Sequence, residues 1–87
     1  MSTISAGATQ TIRLRNNTGQ RQELWLEPLG DRVVLDPKVL YEITATNAFQ
    51  EIDLSSDGFT VYGWVIHVSI VNDDGSSTTV WKMPDRA

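Results

Sequence analysis

Eighty-seven residues with no cysteine and a formal charge of −4 describe one domain that has no disulfide framework, zinc–thiolate site, iron–sulfur cluster or thiol nucleophile. The acidic balance repels phosphate backbones, so nucleic acid is not an expected partner. No apolar run reaches the length of a membrane span, and Met1–Gln10 has neither the basic start nor the apolar stretch of a secretory signal. The expectation is a cytoplasmic protein without a membrane partner, either a monomer or a small homo-oligomer.

Residues 1–8 are small and polar and are expected to form a loose tail ahead of a single domain over 9–84. From Thr9 onward, strand signals alternate with turn signals at short intervals. Gln10–Arg15 places Ile12 and Leu14 on one face and Thr11, Arg13 and Arg15 on the other. Asn16-Asn17-Thr18-Gly19 turns the chain, with Asn17 or Gly19 as the candidate for positive φ. Gln22–Glu27 sets Leu24 and Leu26 against Glu23, Trp25 and Glu27. Pro28 ends or edges that strand, Gly30-Asp31 turns, Arg32–Leu35 forms a third strand, and Asp36-Pro37 opens the next turn.

Val39–Thr46 reads as a fourth strand with Tyr41, Ile43 and Ala45 on one face, and Gln50–Leu54 as a fifth with Ile52 and Leu54 inward. Ser55-Ser56-Asp57-Gly58 is a turn. Phe59–Val71 is too long for one ordinary strand, and its apolar pattern changes phase. Phe59 and Val61 share one parity; Trp64, Ile66, Val68 and Ile70 share the other. A bulge or bend at Tyr62–Trp64, with Gly63 in a backbone conformation costly to other residues, accounts for the switch; a strand buried on both faces is the alternative. Asn72-Asp73-Asp74-Gly75 makes a hairpin loop before a closing strand, Ser77–Met83. The class is all-β: a single-domain antiparallel β-sandwich or small open barrel of about seven or eight short strands.

Chemistry-bearing motifs are sparse. His67 is the single histidine, and Ser69 shares its strand face two residues on, at a spacing that does not favour a nucleophile–base contact. Asp53–Gly58 copies the first half of a calcium loop, but its twelfth position is Trp64 and not a bidentate glutamate, so a strand-to-strand turn explains it better. Asn16-Asn17-Thr18 matches a glycosylation sequon in residues that turn chemistry already explains. Neither an enzyme nor a metal or cofactor is expected.

The unusual feature is aromatic: three tryptophans, with Tyr41, Tyr62, Phe49 and Phe59 besides. Trp64 and Trp81 share parity with the apolar Ile66 and Met83 and are expected to point inward. Trp25 has Glu23 and Glu27 as same-face neighbours, so with Leu24 and Leu26 in the core it stands on the outer face between two carboxylates. Exposed aromatics on a β face grip peptides, partner proteins or sugars. The alternative is an indole covered by a second layer or by the N-terminal tail.

Leu24-Trp25-Leu26-Glu27-Pro28-Leu29-Gly30, Leu35-Asp36-Pro37 and Thr60-Val61-Tyr62-Gly63-Trp64 together resemble a family of small bacterial all-β proteins without an established activity. The resemblance spans Leu14 to Trp81 and implies an all-β fold and a bacterial source. Two positions depart from the family pattern: Val65-Ile66-His67 stands where a glycine-containing bend is expected, and Lys38 where a glycine follows the proline. The expected function is a non-catalytic binding or interaction module that recognises a protein, with carbohydrate second, through an exposed β face or edge. Its expected binding residues are Trp25, Glu23, Glu27 and Tyr62. The alternative is a structural or accessory subunit joined to a larger assembly by β-edge pairing.

Overall fold

Period-two alternation runs through almost every ordered segment, and the chain answers it with strands. A computed structural model describes residues 9–84; the expected tail, 1–8, lies outside them. Six strands follow in order: β1 (Thr9–Arg15), β2 (Gln22–Glu27), β3 (Asp31–Leu35), β4 (Leu40–Ser55), β5 (Gly58–Val71) and β6 (Ser77–Lys82). They form one open sheet in the order β1-β4-β5-β2-β3, with β6 also pairing β5. The protein is all-β. Of the two expected architectures it follows the open barrel, since one sheet curls around one core.

Two expectations change. The segments read as fourth and fifth strands are one strand, β4, because the insertion between them kinks the ladder without ending it; this reduces the strand count to six. The sheet is also mixed, because β2 pairs β5 in parallel, Glu23 opposite Gly58 through Glu27 opposite Tyr62. Sequence alternation is the same for either direction, so pairing direction was not readable from it.

The core is a single cluster: Leu24 and Leu26 from β2, Val33 and Leu35 from β3, Tyr41, Ile43 and Ala45 from β4, and Val61, Val65 and Val68 from β5. Ile12 and Leu14 of β1 pack against it, as do Phe49, Ile70 and Trp81. The two ends of the sheet, β1 and β3, are drawn together by Asn16, which is 2% exposed. Its Nδ2 donates to the Gln20 and Leu35 carbonyls at 2.7 and 3.0 Å, and its Oδ1 accepts from Thr18 N and Oγ1 at 3.0 and 2.6 Å. The sequon nitrogen is therefore consumed in holding the curl closed. Lys38, next along this seam, adopts φ 64°, the region where glycine has least strain; its N–H donates to Asn16 O and its Nζ to Asn17 O, each at 2.7 Å.

β5 is the central strand. β4 runs along one edge of it; β2 and then β6 share the other. Its phase change is real, but it sits three residues later than the sequence indicated. Val61, Gly63 and Val65 all face inward and are buried, and Tyr62 and Trp64 face outward. The switch occurs at Ile66, one extra residue between Val65, opposite Ala45, and His67, opposite Thr44. Trp64 is thus turned to solvent and not to the core. Trp81 does face inward, half-buried, and its Nε1 donates to Asp31 Oδ2 at 3.0 Å, tying β6 to β3 where β2 and β6 meet end to end.

The expected irregularity at Tyr62–Trp64 also exists, on the opposite strand. Four residues of β4, 47–50, stand opposite Gly63 alone. Asn47 turns with φ 63°, and Phe49 folds back over Gly63, where an added Cβ would meet Phe49 Cδ1 at 3.3 Å. Gly63 leaves room for that ring and needs no left-handed backbone. Gly63→Val is expected to destabilise the domain by about 1–3 kcal/mol through displacement of Phe49. In a Phe49→Ala background about half or more of that penalty should vanish, read by urea titration of the four-variant cycle. A full penalty without the ring would point to backbone strain instead.

Gly58 is more tightly constrained. It adopts φ 150°, and a Cβ there would overlap the Glu23 carbonyl oxygen and come within 2.7 Å of the Glu23 nitrogen. Both neighbours are backbone and cannot swing aside. Gly58→Ala is expected to cost about 3 kcal/mol or more, or to prevent folding; a urea midpoint within error of wild type would contradict this.

Candidate functional site

Because Leu24 and Leu26 are drawn into the core, Trp25 must point out, between Glu23 and Glu27. On the next strand, inward Val61 forces Thr60 and Tyr62 outward. The parallel register sets Thr60 beside Trp25 and Tyr62 beside Glu27. Trp25 and Tyr62 are a diagonal pair, one strand over and two residues along, so their Cα atoms are roughly 8 Å apart. Each is 36% exposed, and Trp64, next outward on β5, is 49% exposed. The structure thus brings Glu23, Trp25, Glu27 and Tyr62 onto one face. The sequence reading missed Trp64, because it grouped that residue with Ile66 and Val68; taking Val61, Gly63 and Val65 as one inward series would have found it.

Charge frames the rings. Across β2, Arg32 of β3 stands opposite Trp25, its guanidinium carbon 5.2 Å from the indole centroid and its Nη1 3.0 Å from Glu23 Oε2. An exposed cation–π contact contributes about 0.5–1 kcal/mol, and the exposed ion pair no more than about 1 kcal/mol. On the other side, β4 places Glu51 opposite Tyr62 and Asp53 opposite Thr60. A side-chain hydrogen bond to Asp53, then repulsion by its charge, raises the Glu51 carboxyl above the ordinary carboxylate value. The face is aromatic at its centre and acidic along β2 and β4, with Arg32 at its β3 border.

The remaining motifs are accounted for by local structure. Asp53–Ser55 are strand residues and Gly58 begins β5, so the calcium-like sequence is a hairpin with Ser56-Asp57 at its tip. Asn72–Ser76 closes the β5–β6 hairpin: Gly75 has φ 89°, Asp74 Oδ1 accepts from Ser76 N and Oγ at 2.9 and 2.6 Å, and those bonds lower the Asp74 pKa, the hydroxyl bond most. Ser69 Oγ lies 3.5 Å from His67 Nδ1, the outer limit of a hydrogen bond. Glu42, the cross-strand neighbour of Ser69, is bound to Arg13 at 3.0 Å and does not orient the imidazole. A shallow cleft of about 320 Å³, bordered by Arg15, Lys38, Ile70 and Asp73, lies beside the β5–β6 loop, away from the aromatic face. Among the described residues no three His, Asp or Glu side chains gather as metal ligands, and no helix is long and apolar enough to cross a membrane.

No family model, curated protein or solved structure matches the chain.

The Glu51–Asp53 repulsion has a measurable sign. A carboxyl with a folded-state pKa above its unfolded value binds its proton more tightly when folded, so stability falls as pH rises from the ordinary carboxylate range through the raised value. Glu51→Gln is expected to raise Tm at pH 7, and that gain should disappear at acidic pH, where the wild-type side chain is itself neutral. An equal effect at both pH values would show that repulsion is not the cause.

Proposed function

We propose that this domain is a non-catalytic interaction module that recognises a partner protein through its outward β2–β5 face. Trp25 and Tyr62 are the anchors and Glu23 and Glu27 flank them. The observation that carries this reading is the gathering of three exposed aromatic side chains, Trp25, Tyr62 and Trp64, on one face of two adjacent strands. Rigid amphipathic rings supply large contact area at low entropic cost, and such residues dominate binding energy at interfaces. The carboxylates favour a partner with basic side chains, and Arg32 over Trp25 illustrates how such a side chain sits on the indole. The same charges disfavour nucleic acid. The absence of cysteine fits work in a reducing compartment such as the cytoplasm. A second reading, an accessory subunit joined by β-edge pairing, is favoured by the outer edge of β4 over Glu51–Ser55, which no strand pairs among the described residues.

Affinity capture from the native organism tests the first reading, with Trp25→Ala and Tyr62→Ala as controls. Each substitution removes an outward ring and should leave the fold intact, with Tm lowered by a few degrees, in Trp25→Ala through loss of the Arg32 contact. Each is expected to weaken the captured partner by about 2 kcal/mol, roughly thirtyfold. A partner retained equally by both variants would overturn the reading. Glycan binding lost with the same substitutions would move the partner class to carbohydrate.

A further inference from the structure

We propose that the open edge of β4, from Glu51 to Ser55, accepts an added β-strand from a partner protein whose side chains alternate basic and apolar. The proposal rests on the second reading above and names the partner's chemistry.

β4 has two halves with different neighbours. Over Leu40–Thr46 it lies between β1 and β5. Over Glu51–Ser55 it pairs β5 on one side, and among the described residues no strand pairs the other. The two-residue turn at Ser56-Asp57 makes Ser55 and Gly58 the last hydrogen-bonded pair of the hairpin, so in strict alternation Asp53 and Glu51 also bond to β5. The amides and carbonyls of Ile52 and Leu54 then face the open side. This is a ready template for strand addition.

The side chains specify what fits. Ile52 and Leu54 continue the inward face of β5, opposite Val61 and Phe59, yet they are 48% and 75% exposed; no chain segment among the described residues covers them. An added strand would set its apolar residues beside these two. On the outward face Glu51 and Asp53 repel each other, and a lysine or arginine beside each would relieve that repulsion. Cross-strand opposite-charge pairs stabilise a sheet and like pairs destabilise it. A second copy of this edge is therefore a poor occupant, because it would bring Glu51 and Asp53 against their own kind. The added strand would also widen the acidic side of the Trp25–Tyr62 face.

The test is titration of the full ¹⁵N-labelled chain with acetyl-Lys-Val-Arg-Val-Lys-amide and with the peptide carrying glutamate at each basic position. The basic peptide is expected to shift the Ile52 and Leu54 amides with a dissociation constant on the order of 1 mM or tighter, more weakly at high salt, and the acidic peptide to leave them unmoved. Leu54→Pro removes one outward N–H while leaving the β5 ladder whole, and should weaken binding about tenfold or more. Should that variant fail to fold, Glu51→Lys with Asp53→Lys serves instead, and is expected to reverse the peptide preference. Trp25→Ala should leave peptide binding intact, which separates this edge from the aromatic face. Protected Ile52 and Leu54 amides in the free chain, no binding at about 5 mM peptide, or binding indifferent to these edge substitutions would each overturn the proposal.

Discussion

Where β5 begins, its backbone passes so close to Glu23 that only a hydrogen can stand on the α-carbon of Gly58. Glu23 N–H donates to Asp57 O at 3.1 Å, and from there the parallel ladder runs to Glu27. That ladder is the strand pairing that attaches the β2–β3 hairpin to the rest of the sheet. It brings Leu24, Leu26, Val33 and Leu35 against Ile43, Val61 and Val65. Without the approach at Gly58, the core would lose four of its buried side chains and the outward face would lose Trp25. The same backbone contact therefore supports both folding and the candidate site.

The second organising feature is mismatch in length between β4 and β5. Four residues of β4 stand opposite one glycine, and one residue of β5 has no partner in β4. Each irregularity flips or holds the inward series, because strand side chains alternate strictly. Phe49 fills the space over Gly63, so Val61, Gly63 and Val65 stay inward and Tyr62 and Trp64 stay out. At Ile66 the series reverses, which returns Val68 and Ile70 to the core. Among the described residues, β1 pairs the first half of β4, from Arg15 opposite Leu40 to Thr9 opposite Thr46. These irregularities thus set which side chains of β5 form the aromatic face.

Electrostatics then differentiates the two outward surfaces. Over β1 and the first half of β4 the polar residues pair among themselves: Thr11 Oγ1 lies 2.9 Å from Thr44 Oγ1, and Arg13 binds Glu42. Over β2 and the second half of β4, Glu23 has Arg32, but Glu27, Glu51 and Asp53 form no ion pair among the described residues. Glu51 and Asp53 moreover oppose each other. A surface that holds like charges side by side is less stable than one that pairs them, and an incoming cation would reduce that cost.

The alternation of Ile12 with Leu14, Leu24 with Leu26, and Tyr41 with Ile43 and Ala45 determined the all-β class, and by elimination it put Trp25 outside between Glu23 and Glu27. Turn chemistry likewise placed the hairpins at Ser55–Gly58 and Asn72–Gly75. These are local properties, in which each side chain's direction follows from its neighbours in the chain. Trp64 was misplaced because the position of a bulge depends on the partner strand, and nothing in Phe59–Val71 alone says that Phe49 will occupy the space at Gly63. The parallel register of β2 with β5, the union of two expected strands into β4, and the meeting of Trp25 with Tyr62 were likewise decided only in the tertiary structure. Each is a relation between segments distant in the chain, set by backbone approach and shared packing volume, and period-two patterns carry no information about which strand lies beside which.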